Sequence, residues 1–339
     1  MGVEETAENA AHRRSGQGLN GNNDRKESMK FPLIKYLPVE PNIPFMKWAR
    51  GAFVASTLAI IISVIGVFTL GLNFGIDFTG GTLIEIRTQQ PADIGALRKK
   101  IGALKLGSYE LQEFGDPRDV LIRVENRGDE RAQQETVRKI KQALGPEVEY
   151  RRVEVVGPKV SGELARDGVI AVLMALVGVM IYIWFRFEWQ FAIGAVAALV
   201  HDVSITIGIF AFTRLEFNLS IIAALLTIVG YSLNDTVVVY DRVRENMRKF
   251  KKTPLTEVIN KSINQMLSRT ILTSVSTLVA LIALYVLGGE VLRGFTFTMI
   301  WGVIIGTYSS VVIAAPLLIW MNAKLVDADE PREQAKARP

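Results

Sequence analysis

Apolar residues in this chain fall into long blocks separated by short polar segments. A helix that crosses a bilayer needs about 20 predominantly apolar residues. Residues 52–72, 168–187, 189–213, 217–240, 271–289 and 294–321 form blocks of that size, which predicts six spans. The third block is interrupted by His201 and Asp202 and the fourth by Asp235. Between the first and second blocks, over 73–167, the period changes. Thr82–Thr88 alternates apolar and polar positions like a strand, and Pro91 opens a helical stretch to about Ala103. Tyr109–Phe114 and Asp119–Glu125 read as strands joined by a Gly115-Asp116-Pro117 turn. Asp129–Leu144 is an amphipathic helix stopped by Gly145-Pro146, and Val148–Val156 is a last strand. The order β-α-β-β-α-β is the ferredoxin-like split motif. The expected fold is therefore an α-helical membrane protein, a six-helix bundle carrying a small α+β ferredoxin-like domain between linkers.

Charge orients the spans. Lys30, Lys35, Lys47 and Arg50 precede the first, and 241–270 holds eight basic residues against three acidic ones. The opposite short connections hold Arg214 and Arg293. Basic loops stay on the cytoplasmic side, so both termini and the 241–270 loop are expected there, with 73–167 outside. Residues 1–30 are polar and without an apolar period, the composition of a disordered tail; 31–51 form an aromatic, proline-containing interfacial lead-in, and 322–339 a second tail. The net charge of +5 tracks helix ends, a pattern suited to anionic lipid headgroups rather than to nucleic acid. Cysteine is absent and His12 and His201 are the only histidines. Disulfides, thiolate chemistry and a Cys- or His-based metal site are therefore not expected.

Ionisable residues at membrane depth mark candidate chemistry, since an Asp there costs about 2.5–3.5 kcal/mol on insertion scales. Asp235 lies in Gly230-Tyr231-Ser232-Leu233-Asn234-Asp235-Thr236, and Arg269 precedes the uncharged part of the fifth span at a similar depth. The two could form a static buried ion pair or a proton-responsive one. His201 and Asp202 could each carry a proton, but side chains about 100° apart on a helix cannot squarely face one partner. The fifth span carries Ser268, Thr270, Thr273, Ser274, Ser276 and Thr277; the sixth carries Gly302, Gly306, Ser309 and Ser310, a pattern of close helix packing.

These motifs resemble those of the SecD/SecF protein-export membrane proteins. Gly75-Ile76-Asp77-Phe78-Thr79-Gly80-Gly81-Thr82 is similar to the family's Asp-Phe-x-Gly-Gly signature, and Val156-Gly157-Pro158-Lys159-Val160-Ser161 to its second. Residues 230–246 (GYSLNDTVVVYDRVREN) match the SecF form of the fourth span, and Gly306-Thr307-Tyr308-Ser309-Ser310 that of the sixth. The resemblance implies half of a resistance-nodulation-division bundle in the bacterial inner membrane, completed by SecD. It implies action at the SecYEG channel, with YajC as a possible further partner, on an unfolded translocating preprotein. Protons would be the coupling ion, with no other cofactor and no enzymatic activity. Asp235 falls on the essential fourth-span aspartate and Arg269 on the arginine linked to it, which favours a proton relay by that pair; His201 and Asp202 are further relay candidates by their depth alone. Asp77, Phe78, Gly80 and Gly81 fall on the junction with the outer domain, where the two glycines would suit a hinge. The competing readings are a proton-driven small-molecule efflux component and a passive scaffold. A membrane-embedded enzyme would need a nucleophile–base pair or metal cluster that the chain does not display.

Overall fold

The computed structural model describes residues 41–125 and 130–323. The expected tail 1–30, the lead-in as far as residue 40 and the tail beyond residue 323 lie outside the described residues. In chain order the elements are α1 (Phe45–Leu70), β1 (Asn73–Phe74), α2 (Ile76–Thr79), β2 (Gly81–Arg87), α3 (Ile94–Gly102), β3 (Tyr109–Phe114) and β4 (Asp116–Val124). They continue with α4 (Glu130–Leu144), β5 (Glu149–Val156), α5 (Pro158–Arg186), α6 (Trp189–Thr213), β6 (Glu216–Phe217), α7 (Leu219–Lys249) and α8 (Leu255–Leu287). The chain then forms α9 (Glu290–Ser309), a π turn (Ser310–Ala314) and α10 (Ala315–Trp320).

Six helical segments are long and apolar enough to cross a bilayer: α1, α5, α6, α7, α8 and Val291–Trp320. The third and sixth are the most buried, at 56% of their apolar stretch, whereas the second and fifth are buried over only 11%. Spans three, four and six therefore form the centre, and one, two and five present broad apolar faces outward. The 241–270 segment differs from a loop: α7 continues to Lys249 and α8 starts at Leu255, leaving five connecting residues. Good helix formers such as Arg242, Arg244, Glu245 and Met247 carry α7 past its apolar part. Asn246 Nδ2 then donates to Ser262 Oγ and Gln265 Oε1, both at 2.9 Å, tying the extended arms together.

The outer domain is a four-stranded antiparallel sheet of order β3-β4-β2-β5. α3 and α4 pack Leu97, Ile101, Ile140 and Leu144 against Ile84, Ile86, Val120 and Ile122 on one face. Because strand residues alternate sides, Leu83 and Leu121 emerge on the other face, where Ile76 of α2 covers them. Two boundaries differ from the sequence expectation. Helix α3 starts at Ile94 because Asp93 caps it, accepting the Ala96 amide at 3.0 Å; Pro91 stays outside. The expected three-residue turn contracts to Gly115, whose φ of +77° reverses the chain alone, so Asp116 and Pro117 join β4.

Candidate functional site

Asp235 is buried at the middle of the helix bundle. Its Oδ1 accepts the Thr270 hydroxyl of α8 at 2.8 Å, and its Oδ2 accepts the Ser310 hydroxyl at the start of the π turn at 2.7 Å. The expected ion pair with Arg269 is a correction: Arg269 is exposed on the outside of α8, and no ion pair to it occurs among the described residues. Consecutive helical residues point about 100° apart, so Thr270 turns inward to hydrogen-bond Asp235, while the exposed Arg269 acts on it only through its charge. The short neutral Thr270 occupies the tight buried position, which spares the desolvation of a guanidinium.

Asp202 and His201 are both buried. The two adjacent side chains meet each other, His201 Nδ1 lying 2.9 Å from Asp202 Oδ1. Asp202 Oδ2 accepts the hydroxyls of Ser232 of α7 at 2.6 Å and Ser309 of α9 at 2.8 Å. When Asp202 Oδ1 accepts in this contact, His201 Nδ1 carries the proton and donates it. Nε2 is buried without a hydrogen-bond partner among the described residues, and the ring stacks on Tyr308 with centroids 6.0 Å apart. Tyr308 Oη in turn lies 2.9 Å from Ser56 Oγ of the first span.

Ser309 and Ser310, expected only as packing residues, are donors to the two carboxylates, Ser309 to Asp202 and Ser310 to Asp235. Each hydroxyl has a single proton and two acceptors in reach. Ser310 Oγ also lies 3.0 Å from Thr307 O, and Ser309 Oγ 3.2 Å from Gly306 O, both carbonyls of their own helix. The π turn that opens at Ser310 widens the helix where it faces Asp235, and π bulges recur at functional positions. Tyr240 Oη of α7 donates to the Ala314 carbonyl of this turn at 3.2 Å. The glycines one and two turns earlier bring the helices together: a Cβ on Gly306 would lie 3.0 Å from Ser232 Cβ, and one on Gly302 would overlap Ile228 at 2.2 Å. Gly306 thereby sets the approach that lets Ser232 reach Asp202. Within the fourth-span motif, Ser232, Asp235 and Thr236 face inward, while Gly230 and Asn234 are exposed. Tyr231 is half-buried, its hydroxyl 3.5 Å from Ser274, which is 2.7 Å from Thr307.

A second cluster lies at the junction of bundle and outer domain. Asp77 Oδ2 accepts the Leu219 amide at 2.8 Å, capping the first turn of α7. Gly80 and Gly81 adopt φ of +71° and +121°, a conformation open to glycine. Gly80 packs closely on the second signature: a Cβ there would lie 3.3 Å from Ser161 Oγ and 3.4 Å from Pro158 Cα. The two signatures are thus in contact, and the expected hinge is a braced joint. β1 pairs in parallel with β6, Gly75 N donates to Phe217 O at 2.8 Å, and Arg214 Nη1 donates to Leu70 O at 2.8 Å. Phe74 and Phe78 pack on Phe217, with ring centroids 6.1 and 5.9 Å away. From the outer sheet, Arg123 of β4 reaches Glu216 Oε2 at 3.2 Å. Among the described residues, no group of three His, Cys, Asp or Glu side chains is placed to hold a metal.

Sequence reasoning missed Thr270 as the partner of Asp235, Tyr308 as the lid on His201, and the Asp77 and Arg123 contacts. Thr270 and Ser274 carry a usable signal, hydroxyls four residues apart on an apolar helix. The junction contacts, Asp77 with Leu219 and Arg123 with Glu216, lie far apart in sequence and have none.

Two family models match the chain: Protein export membrane protein SecD/SecF, C-terminal, over residues 136–324, and SecD/SecF GG Motif over 65–92. Among curated relatives, the protein translocase subunit SecF of Cereibacter sphaeroides is 45% identical over 314 residues, covering 90% of this chain and 96% of that protein. The same subunit of Magnetococcus marinus is 51% identical over 284 residues, covering 82% and 91%. The crystal structure of SecDF, a translocon-associated membrane protein from Thermus thermophilus, superposes with a TM-score of 0.76 at 37% identity. That match covers 84% of this chain but 39% of the SecDF chain. A SecDF structure in a super-membrane-facing form gives a TM-score of 0.62 at 36% identity, covering 88% and 40%.

Proposed function

Because the chain belongs to the SecD/SecF family of protein-export membrane proteins, in its SecF branch, we propose that it serves as a proton-coupled subunit of the export machinery. It pairs with SecD and promotes movement of an unfolded preprotein through the SecYEG channel, with YajC as a neighbour. The membrane is the bacterial inner membrane, with the ferredoxin-like domain on the periplasmic side and both termini in the cytoplasm. This chain spans about two fifths of the SecDF chains it matches, so a partner bundle is needed to complete that architecture.

The observation that carries the coupling is the pair of buried carboxylates joined through consecutive serines with divided loyalties. While Asp235 is ionised, the Ser310 proton points to it. Protonation of Asp235 removes the charge that holds this donor, and the hydroxyl turns back to Thr307 O, loosening α9 from α7. The same alternative at Ser309 lets Asp202 and His201 follow. One charge crossing 100 mV releases about 2.3 kcal/mol, comparable to one or two such hydrogen bonds and enough to bias a two-state arrangement. α7 runs unbroken from Asp77's cap to Asp235, so its displacement reaches the junction directly.

The SecD contact falls on the outward side of spans four and five. Ala223, Thr227, Gly230 and Asn234 form an exposed line of small or polar residues on α7, and Arg269, Thr273, Ser276 and Ala280 form another on α8. Such residues suit close helix contact rather than lipid. In the paired bundle Arg269 would be covered, which would strengthen the attraction its charge already exerts on Asp235. Asp235→Asn tests the reading through export of a secreted reporter in membranes with and without a proton gradient. Loss of the gradient-dependent part is expected; unchanged gradient dependence refutes it. Cysteines introduced at Gly230 or Ala280 of this cysteine-free chain should cross-link to SecD, and at Val64 should not. This would separate a complex that fails to assemble from one that assembles without coupling.

A further inference from the structure

The basic end of α7 and α5 is not used by the coupling scheme, yet it borders an open cavity of ≈ 430 Å³ lined by Arg186, Asp241, Arg244, Glu245, Arg248 and Lys249. Four cationic side chains face two carboxylates there. Both carboxylates are already engaged, Asp241 by Arg186 at 2.9 Å and Glu245 by Arg242 at 2.6 Å. Arg244 is held by Glu188 at 3.3 Å and by the Arg186 carbonyl, while its buried Nε has no hydrogen-bond partner among the described residues. Arg248 and Lys249 make no ion pair among the described residues. The guanidinium groups of Arg186 and Arg244 sit 4.9 and 5.8 Å from the centre of the Phe187 ring, which restricts their freedom.

We infer that this cavity binds the phosphodiester headgroup of an anionic phospholipid. The uncompensated positive charge of Arg248 and Lys249 suits a phosphate, and planar guanidinium groups bind its oxygens in pairs. The volume is within the range of small-ligand sites and too small for a folded partner. What favours a lipid over free phosphate is the flank: Tyr182, Trp184, Phe185 and Trp189 surround Arg186 in sequence at 53%, 64%, 89% and 54% exposure. Aromatic residues at that density belong at the membrane–water boundary, where acyl chains would leave the headgroup. Basic pockets between spans at the cytoplasmic interface are a known physical solution for anionic headgroups. The bound lipid would clamp the second span to the inner end of α7. Because the inference concerns only charge and shape at one helix end, it stands or falls independently of the proton coupling.

Native mass spectrometry of the purified full-length chain, titrated with phosphatidylglycerol, phosphatidylcholine or inorganic phosphate, tests it. The wild type should hold phosphatidylglycerol in preference to phosphatidylcholine. Arg248→Gln/Lys249→Gln should weaken that binding ~10–30-fold, from about 1 kcal/mol per cation. Arg248→Lys/Lys249→Arg should retain it, as should Lys251→Gln/Lys252→Gln, which removes the same charge from the adjacent connection. Trp184→Ala/Phe185→Ala should weaken phosphatidylglycerol and leave inorganic phosphate binding unaltered. Equal binding of the two lipids, equal loss in both glutamine pairs, or displacement of lipid by equimolar phosphate would each overturn the assignment.

Discussion

Ser309 and Ser310 are neighbours in sequence yet are assigned to different carboxylates, which invites a double-mutant test. Ser309 Oγ is 2.8 Å from Asp202 and Ser310 Oγ is 2.7 Å from Asp235. A hydrogen bond to a charged acceptor contributes about 1.5–3 kcal/mol in water-soluble proteins. Interhelical hydrogen bonds measured in a membrane average only about 0.6 kcal/mol, with a maximum near 1.7. Each serine also keeps its own helix carbonyl as a second acceptor, at 3.2 and 3.0 Å, which recovers part of the loss. The expected coupling is therefore about 1 kcal/mol, or roughly fivefold in an unfolding equilibrium. Stability would be read from SDS-induced unfolding in mixed micelles for the four single variants Ser309→Ala, Ser310→Ala, Asp202→Ala and Asp235→Ala, and for all serine–aspartate pairs. Ser309→Ala should couple with Asp202→Ala, and Ser310→Ala with Asp235→Ala. The crossed pairs should be additive to within about 0.5 kcal/mol. Crossed couplings as large as the matched ones would show that the serines respond to a general loosening of α9, and the assignment of one proton donor per carboxylate would fail.

Three further outcomes follow from the packing and the charges. Gly306→Ala should destabilise the bundle by about 1–3 kcal/mol through overpacking against Ser232, and that cost should shrink when it is measured in a Ser232→Gly background, whose own loss of the Asp202 bond cancels in the cycle; an undiminished cost would place the strain elsewhere. Asp77→Ala should cost about 1 kcal/mol of helix capping and speed hydrogen exchange in the first turn of α7 about fivefold, whereas unaltered exchange would mean that the Leu219 amide has another acceptor. Burial raises the Glu216 carboxyl above its ordinary value, outweighing the pull of Arg123 and Arg152. A raised carboxyl contributes stability while it is protonated and loses it as pH climbs through the folded-state value. The stability of the wild type relative to Glu216→Gln should therefore decline from the ordinary Glu range, near 4.5, upward; a difference that is flat or grows with pH contradicts the sign.

Local pattern was enough for much of this protein, and the reasons are visible in particular residues. Thr82–Thr88 alternates because one face of β2 packs on α3 and α4, so its strand could be read to within a residue of the observed Gly81–Arg87. The six spans were legible because each must satisfy its own backbone in lipid over a fixed thickness. Asp235 and Asp202 stood out because charge is rare at that depth. Their partners did not, since Arg269 and Thr270 are adjacent and periodicity cannot say which one α8 turns inward. A guanidinium looks like the natural companion of a carboxylate, but a hydroxyl satisfies the same lone pair in less space and without a second buried charge. The π turn after Ser309 was equally hidden, because SVVIA has the composition of ordinary apolar helix. Long-range pairs such as Asp77 with Leu219 and Asn73 with Glu216 are properties of the assembled chain alone.

The braced junction alters how motion could travel between membrane and outer domain. A flexible glycine hinge would isolate the two, since a displacement of the bundle would be absorbed in soft backbone angles. Here Gly80 and Gly81 instead permit a tight fold-back that seats α2 under the sheet and Asp77 on the end of α7. From Leu219 to Asp235 is sixteen residues of continuous helix, roughly 24 Å at 1.5 Å per residue. No proline interrupts it, so the stretch is one continuous helical link between the two residues. Arg123 and Glu216 then offer a second point of attachment, on the face of the sheet opposite its helices. Two attachments at one corner of the sheet, with Asp77 and Glu216 near enough for their charges to act on each other, hold the domain to the start of α7 more firmly than a single tether. Loosening the Arg123–Glu216 contact by Arg123→Gln should therefore reduce gradient-driven export while leaving the Asp77 cap intact. Undiminished export would leave the cap as the sole mechanical link.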